Sequence, residues 1–138
     1  MIAFGAFAGT IANGTIDPEG AWAIGLDLDD VPDASFRNAV ELAQTLSDAG
    51  LAHTTWQHGT TVEGTTRGRI VIPFDTPVPA EHWETTWERF AHVFATQAGV
   101  TIDPACKNIG RRFWLPSVNV HAPPPFNEEV WLVTWGDQ

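Results

Sequence analysis

Hydrophobic and polar positions change period several times along this chain, and each change predicts an element. Residues 2–9 alternate loosely and read as a strand, followed by turn signals at Asn13-Gly14 and Asp17-Pro18-Glu19-Gly20. Ala21 to Leu28 is apolar on both faces until two aspartates interrupt it, the pattern of a buried central strand. Pro32-Asp33-Ala34-Ser35 opens a helix with Asp33 or Ser35 as N-cap. Phe36, Val40, Ala43 and Leu46 then fall at helical spacing, and Gly50 ends the run.

Ala52 to His58 is β-branched and aromatic, a second strand of the central unit, and residues 59–66 form a polar, glycine-bounded loop. Arg67 to Phe74 reads as a third strand stopped by Pro73, Pro77 and Pro79. A helix from Ala80 to Ala98 follows, with Trp83, Trp87, Phe90, Val93, Phe94 and Gln97 on one stripe and Gly99 closing it. Arg112-Phe113-Trp114-Leu115 predicts a fourth strand ended by Pro116, and the tail carries three prolines and a last apolar piece, Val130 to Trp135. From residue 21 the order is β-α-β-β-α-β. It predicts an α+β fold of RRM-like or ferredoxin-like type, a mainly antiparallel sheet with helices on one face. The N-terminal strand and the C-terminal tail extend that core, which covers about residues 21–118.

Composition narrows this picture. A chain of 138 residues, 43% hydrophobic and 17% charged, describes one globular domain able to bury a core. The single cysteine, Cys106, excludes an intrachain disulfide and a multi-cysteine zinc site and suits a reducing compartment. No run reaches membrane-spanning length and no basic leader is present, so the expectation is a soluble cytoplasmic protein with no membrane partner. The net charge is −10, yet five of the seven basic residues lie in two short segments, Arg67 with Arg69 and Lys107 with Arg111 and Arg112. Brought together, they would form a cationic patch on an acidic body, suited to phosphate; scattered, they merely solvate a surface.

The candidate chemistry centres on Ile24-Gly25-Leu26-Asp27-Leu28-Asp29-Asp30-Val31. On a strand, Asp27 and Asp29 point to the same face one pleat apart. Their repulsion is relieved by a divalent cation with oxygen ligands. The plainer reading is a strand end running into an acidic turn, with Asp30 and Asp33 capping the next helix. Asp103, just before the fourth strand, would complete a set of three carboxylates for one or two Mg²⁺ or Mn²⁺ ions, or else serves as a turn residue before Pro104. His58 ends the second strand beside a polar loop and is placed to hold a phosphate. Arg69, Arg111 and Arg112 are placed to clamp a triphosphate or a template backbone. Trp56 is the tryptophan suited to base stacking; His53, His82, His92 and His121 look incidental.

These pieces in this order resemble the archaeo-eukaryotic primase superfamily, more narrowly the primase-polymerase domains of phage and plasmid replication proteins. The residues carrying the resemblance are Asp27-x-Asp29, the run Thr54-Thr55-Trp56-Gln57-His58, Arg69 to Pro73, and Asp103 through Arg111 to Pro116. It implies that Asp27, Asp29 and Asp103 bind two catalytic metal ions, Mg²⁺ or Mn²⁺. His58 and Arg111, with Arg69 and Lys107, would meet the phosphates of an incoming nucleotide. Trp56 and Gln57 stand where that family usually has a serine. The implied partners are nucleoside triphosphates, a single-stranded DNA template and a helicase domain or subunit; the implied activity is primer synthesis or extension in replication.

Two rivals come from other classes. Asp27-Leu28-Asp29-Asp30-Val31 also fits the signature of haloacid-dehalogenase-type phosphatases, with Asp27 as nucleophile and Asp29 as general acid. That family needs a downstream lysine and a later acidic pair on a parallel doubly wound sheet, and Lys107, the only lysine, has no such pair after it. The non-enzyme rival is a catalytically inactive RRM-like binding module. Its third strand lacks the aromatic run of an RNA-binding RRM.

Overall fold

The computed structural model describes residues 2–3, 5–7, 16–54, 63–107, 112–113 and 132–136, with backbone alone at 2–3, 5–7, 16–19 and 112–113. Nine elements run through these residues, besides a short 3-10 turn. They are β1 (Ile2–Ala3), β2 (Gly5–Phe7), β3 (Ile16–Pro32), α1 (Asp33–Leu46), β4 (Gly50–Thr54), β5 (Thr65–Val78), α2 (Ala80–Ala98), β6 (Arg112–Phe113) and β7 (Leu132–Trp135); the 3-10 turn is Pro104–Lys107. The fold is α+β, with an antiparallel sheet in the order β2-β3-β5-β4-β7.

The centre of the sheet is the β3–β5 ladder, pairing Ile24 with Ile72, Leu26 with Ile70 and Asp27 with Arg69. First and third strands of the β-α-β-β-α unit are thus neighbours, as a ferredoxin-like core requires. On one face of the ladder Ile24, Leu26, Leu28, Ile70 and Ile72 are buried with Ala52 of β4. Both helices cover that face: α1 through Phe36, Ala39, Val40 and Ala43, α2 through Trp83, Trp87, Ala91 and Phe94. The ring of Phe36 lies where a Cβ on Gly68 would stand, so that close approach requires glycine. Gly99 ends α2 in the left-handed region, φ 69°, its N–H donating to the Ala95 carbonyl at 2.9 Å.

Several boundaries depart from the pattern. The stripe on α2 is narrower than its apolar residues suggest: Val93 and Gln97 are exposed, and Ala91 takes the inner position. Leu46 of α1 is likewise exposed. Neither Asp33 nor Ser35 caps α1, whose N-cap is Pro32; Asp33 instead accepts a hydrogen bond from the Thr66 hydroxyl at 2.6 Å. β5 does not end at Phe74 but runs from Thr65 to Val78, through Pro73 and Pro77. The pairing with β4 has already ended at Val71, and the ladder to β3 shifts register between Ala21 and Ala23, so few amide donors are required there. Arg112–Phe113 pairs with β1 rather than lying beside β3, where the edge is taken by β2, and β7 extends the other edge beyond β4.

Among the described residues, no helix is long and apolar enough to cross a membrane. These strands form no parallel doubly wound sheet, the frame that the phosphatase reading calls for.

Candidate functional site

Residues directly opposite each other in an antiparallel ladder share a face. The register therefore sets Asp27 of β3, Arg69 of β5 and His53 of β4 in one row on the face turned away from the helices. One pleat further, Asp29 belongs to the same face by alternation, and there the ladder breaks: pairing runs from Leu28 with Gly68 to Val31 with Thr66. This leaves Asp29 and Asp30 opposite Arg67 alone, a β-bulge. Asp30 adopts φ 51°, the one non-glycine residue with positive φ among those described. Aspartate tolerates that region better than most side chains.

Each arginine of this face meets a carboxylate. Arg67 grips Asp30 with both prongs, Nε to Oδ1 at 2.8 Å and Nη2 to Oδ2 at 2.7 Å. The Arg67 guanidinium holds the Asp30 carboxyl below the usual carboxylate range, and Asp30 in turn raises Arg67. Arg69 donates Nε–H to Asp27 Oδ1 at 3.1 Å. Asp27 is 6% exposed. Its pKa is raised, first by burial and then by repulsion from Asp29 and Asp103, with Arg69 opposing.

Asp103 reaches this neighbourhood through the backbone. Its N–H donates to the Asp27 carbonyl at 2.9 Å, which pins the segment after α2 against β3. The Asp103 carboxylate accepts the Ala105 N–H at 2.9 Å as the 3-10 turn begins. The buried Cys106 and the bond from Trp83 Nε1 to the Lys107 carbonyl, 2.7 Å, fasten that turn to α2. Asp103 is thus both a turn residue and a neighbour of Asp27.

The structure brings Asp27, Asp29, Asp103 and Arg69 together. Lys107 is directed elsewhere: its ammonium lies 3.2 Å from both Glu84 and Glu88 on the outer side of α2. Those two carboxylates raise its pKa. His58, Arg111 and Trp56, as well as the side chain of Arg112, lie outside the described residues.

His53, passed over in the sequence, belongs to the row. It is 1% exposed. Its Nδ1 lies 2.9 Å from the Thr54 carbonyl, and an imidazole nitrogen beside a carbonyl carries the proton. That tautomer makes Nε2 a bare acceptor, and Nε2 is buried with no hydrogen-bond partner among the described residues. Burial foremost, with the nearby Arg69 charge, lowers the His53 pKa against the Thr54 bond, so the ring is neutral near pH 7. No signal in the sequence marked it, because only the pairing of β4 with β5 sets it opposite Arg69.

The donor set suits a hard divalent cation. Asp27, Asp29 and Asp103 carry oxygen donors, and the Asp27 pKa stays raised, first by burial, with repulsion from Asp29 and Asp103 adding to it against Arg69. Among the described residues no three His, Cys, Asp or Glu side chains form a group that would hold a metal ion as they stand. Mg²⁺ commonly takes one or two carboxylates, with water and substrate phosphates completing its shell, so an all-protein cage is not required. No protein-family model, no curated protein and no solved structure matches this chain.

Proposed function

We propose that this chain is a metal-dependent nucleotidyltransferase of the primase-polymerase kind, which joins nucleoside triphosphates on a single-stranded template. The observation that carries the reading is a pair of carboxylates on one face at the end of β3, with the backbone of a third acidic residue bonded to that strand. Asp27 and Asp29 share a face of the strand, and the amide of Asp103 is bonded to the carbonyl of Asp27 itself. Their charges act on one another, and two arginines border them. Negative charge gathered beside guanidinium groups suits a substrate that is a triphosphate with its cation.

In this reading Asp27 and Asp29 hold Mg²⁺ or Mn²⁺, with Asp103 beside them, and Arg69 binds a phosphate oxygen. The bound cation supplies a lowered pKa for an attacking 3′-hydroxyl and neutralisation of the departing pyrophosphate. The bond formed joins the 3′-oxygen to the α-phosphorus, the bond broken joins α-phosphorus to the bridging oxygen, and the hydroxyl proton passes to water. Arg67 keeps to Asp30 and stiffens the bulge that presents Asp29. His58 and Arg111 remain candidates for further phosphate contacts on the strength of the resemblance, whereas Lys107 is held by Glu84 and Glu88.

A second reading has an observation of its own. Arg67 and Arg69 are both ion-paired within the chain, as suits a binding module whose charged face is structural. Calorimetric titration of a nucleoside triphosphate with and without Mn²⁺ separates the two. The enzyme reading expects binding that needs Mn²⁺ and is lost in Asp29→Asn, followed by primer extension with the wild type. Metal-independent binding, or none to a folded protein, favours the module.

A further inference from the structure

On the helix side of the sheet, away from the charged row, a groove opens where α1 gives out. α1 ends at Leu46 and β4 begins at Gly50, and β4 pairs with β5 only as far as Val71. β5 runs on past that point, and its residues 72–75 form one wall of a groove of about 320 Å³. Leu46 of α1 and Phe90 of α2 line it from the helices. The aromatic floor is fixed from beneath: Phe74 meets Trp83 edge-on at 6.3 Å, and Phe90 stacks on Phe94 at 5.9 Å. Leu46 and Val93 belong to the apolar stripes that helical spacing predicts, yet each is 51% exposed. Leu46 lines the groove, and Val93 stands one turn beyond Phe90 on the same flank of α2. Two exposed carboxylates, Asp48 and Asp75, also line it. Among the described residues neither has an ion pair or a hydrogen-bond donor, and no lysine or arginine lines the groove.

We propose that this groove docks a short segment of a partner protein in which large apolar side chains are flanked by lysine or arginine. The apolar side chains cover Leu46, Phe74 and Phe90, and the flanking cations meet Asp48 and Asp75. Charge selects this occupant over the others. A nucleic-acid backbone brings the wrong sign to both carboxylates. A second copy of this chain carries a net charge of −10 and is repelled. An uncharged apolar segment would take water from two carboxylates and give them no partner. The groove lies across the sheet from Asp27, Arg69 and His53, so the proposal holds or fails without the nucleotidyltransferase reading.

Three acetylated and amidated peptides test it. The first is Lys-Arg-Trp-Leu-Arg-Lys; the second has Ser-Ser in place of Trp-Leu; the third has glutamate at every basic position. Each is titrated into nitrogen-labelled protein and followed through its amide resonances. The first peptide is expected to shift the amides of residues 46–49, 74–75 and 90. It should bind about tenfold more tightly than the serine peptide, which lacks the apolar contact. The combined Asp48→Asn and Asp75→Asn variant loses two exposed ion pairs and should bind it about 2- to 30-fold more weakly. Leu46→Ser should weaken it as well. These positions are exposed, and the spread of the amide resonances reports whether each variant is folded; if one is not, the other decides alone. Failure of the first peptide to bind at about 1 mM, the weak end of specific affinity, overturns the proposal. Equal binding of the serine or glutamate peptide, shifts centred elsewhere, or unchanged affinity in the folded variants overturns it too. Broadening of the same amides with protein concentration alone would give the groove to a second copy and likewise overturn it.

Discussion

On the helix side of the β3–β5 ladder Leu26, Leu28 and Ile70 are withdrawn from water among apolar side chains; one residue along, on the other side, Asp27 and His53 are withdrawn almost as far. The degree of burial is nearly the same and the physics is not. An apolar side chain gains from losing water whatever its neighbours, so long as the space is filled. A carboxylate or imidazole in that position must find a partner for each polar atom, and the second face meets this demand only in part. Asp27 has Arg69 yet keeps a raised pKa, and His53 satisfies Nδ1 while Nε2 has no partner among the described residues. One face of the sheet is filled with carbon, while the other encloses an ion pair and an imidazole whose polar atoms are only partly satisfied among the described residues.

The largest effect expected belongs to the helix side. Leu26→Ala should cost about 2–5 kcal/mol, since the side chain is fully enclosed between β5 and the helices and leaves a cavity. Chemical denaturation with the slope held constant is the measurement. A cost below about 1 kcal/mol, the range of volume-conserving exchanges, would mean that this face is loosely packed. The comparison would then lose its first half.

The polar side should respond in the opposite direction when both partners are removed. Exchanging Asp27→Leu together with Arg69→Met replaces a mostly buried ion pair by carbon, and such exchanges are commonly neutral or stabilising by about 1–4 kcal/mol. Arg69→Met alone should destabilise, because it leaves the buried carboxylate without its counter-ion. A double variant as damaged as the single one would show that this face is held by the ion pair as firmly as the other is held by packing.

A smaller, pH-dependent effect follows from His53. Its folded pKa lies below the ordinary imidazole value of about 6.5, so the unfolded chain binds a proton that the folded chain refuses. Stability contributed by neutral His53 is therefore full above about pH 6.5 and is lost as the pH falls from there toward the lowered folded value. Asp27 acts in the other sense: its raised pKa means that acid restores stability which ionisation removes. The readout is accordingly the difference between wild type and His53→Phe in thermal melts at pH 8 and pH 5.5. The variant should lose less on acidification. Equal losses would mean that His53 is not buried as a neutral ring.

How much of this was legible in the sequence depends on the range of the interaction. Local signals sufficed for α2, where Pro79, the tryptophan spacing and Gly99 set its start, its buried side and its stop. They sufficed too for placing Asp27 and Asp29 on one face, since alternation is a property of a single strand. What stands across the sheet is set by long-range pairing, and that is where the reading failed. His53 passed for incidental because nothing near it in the chain announces Arg69 as its opposite. The last apolar piece, Leu132–Trp135, gave no hint that it would flank β4, and Arg112–Phe113 gave none that it would join β1. Asp30 read as a cap because an acid before a helix usually is one, while its partner Arg67 lies 37 residues away.

The smallest change in stability is expected at a residue on which the proposed function depends. Asp29 is exposed beside the bulge, and exposed substitutions away from caps and networks usually stay within about 0.5 kcal/mol. Asp29→Asn should therefore melt like wild type in the absence of ligand. With Mn²⁺ and a nucleoside triphosphate the two should part, because a ligand that binds only the folded state adds about 2.7 kcal/mol at a hundredfold excess over its Kd. Wild type should gain that stabilisation and Asp29→Asn should lose most of it. Identical gains in the two proteins would remove Asp29 from the site, and with it the reason for reading this charged face as anything beyond a well-buried ion-pair network.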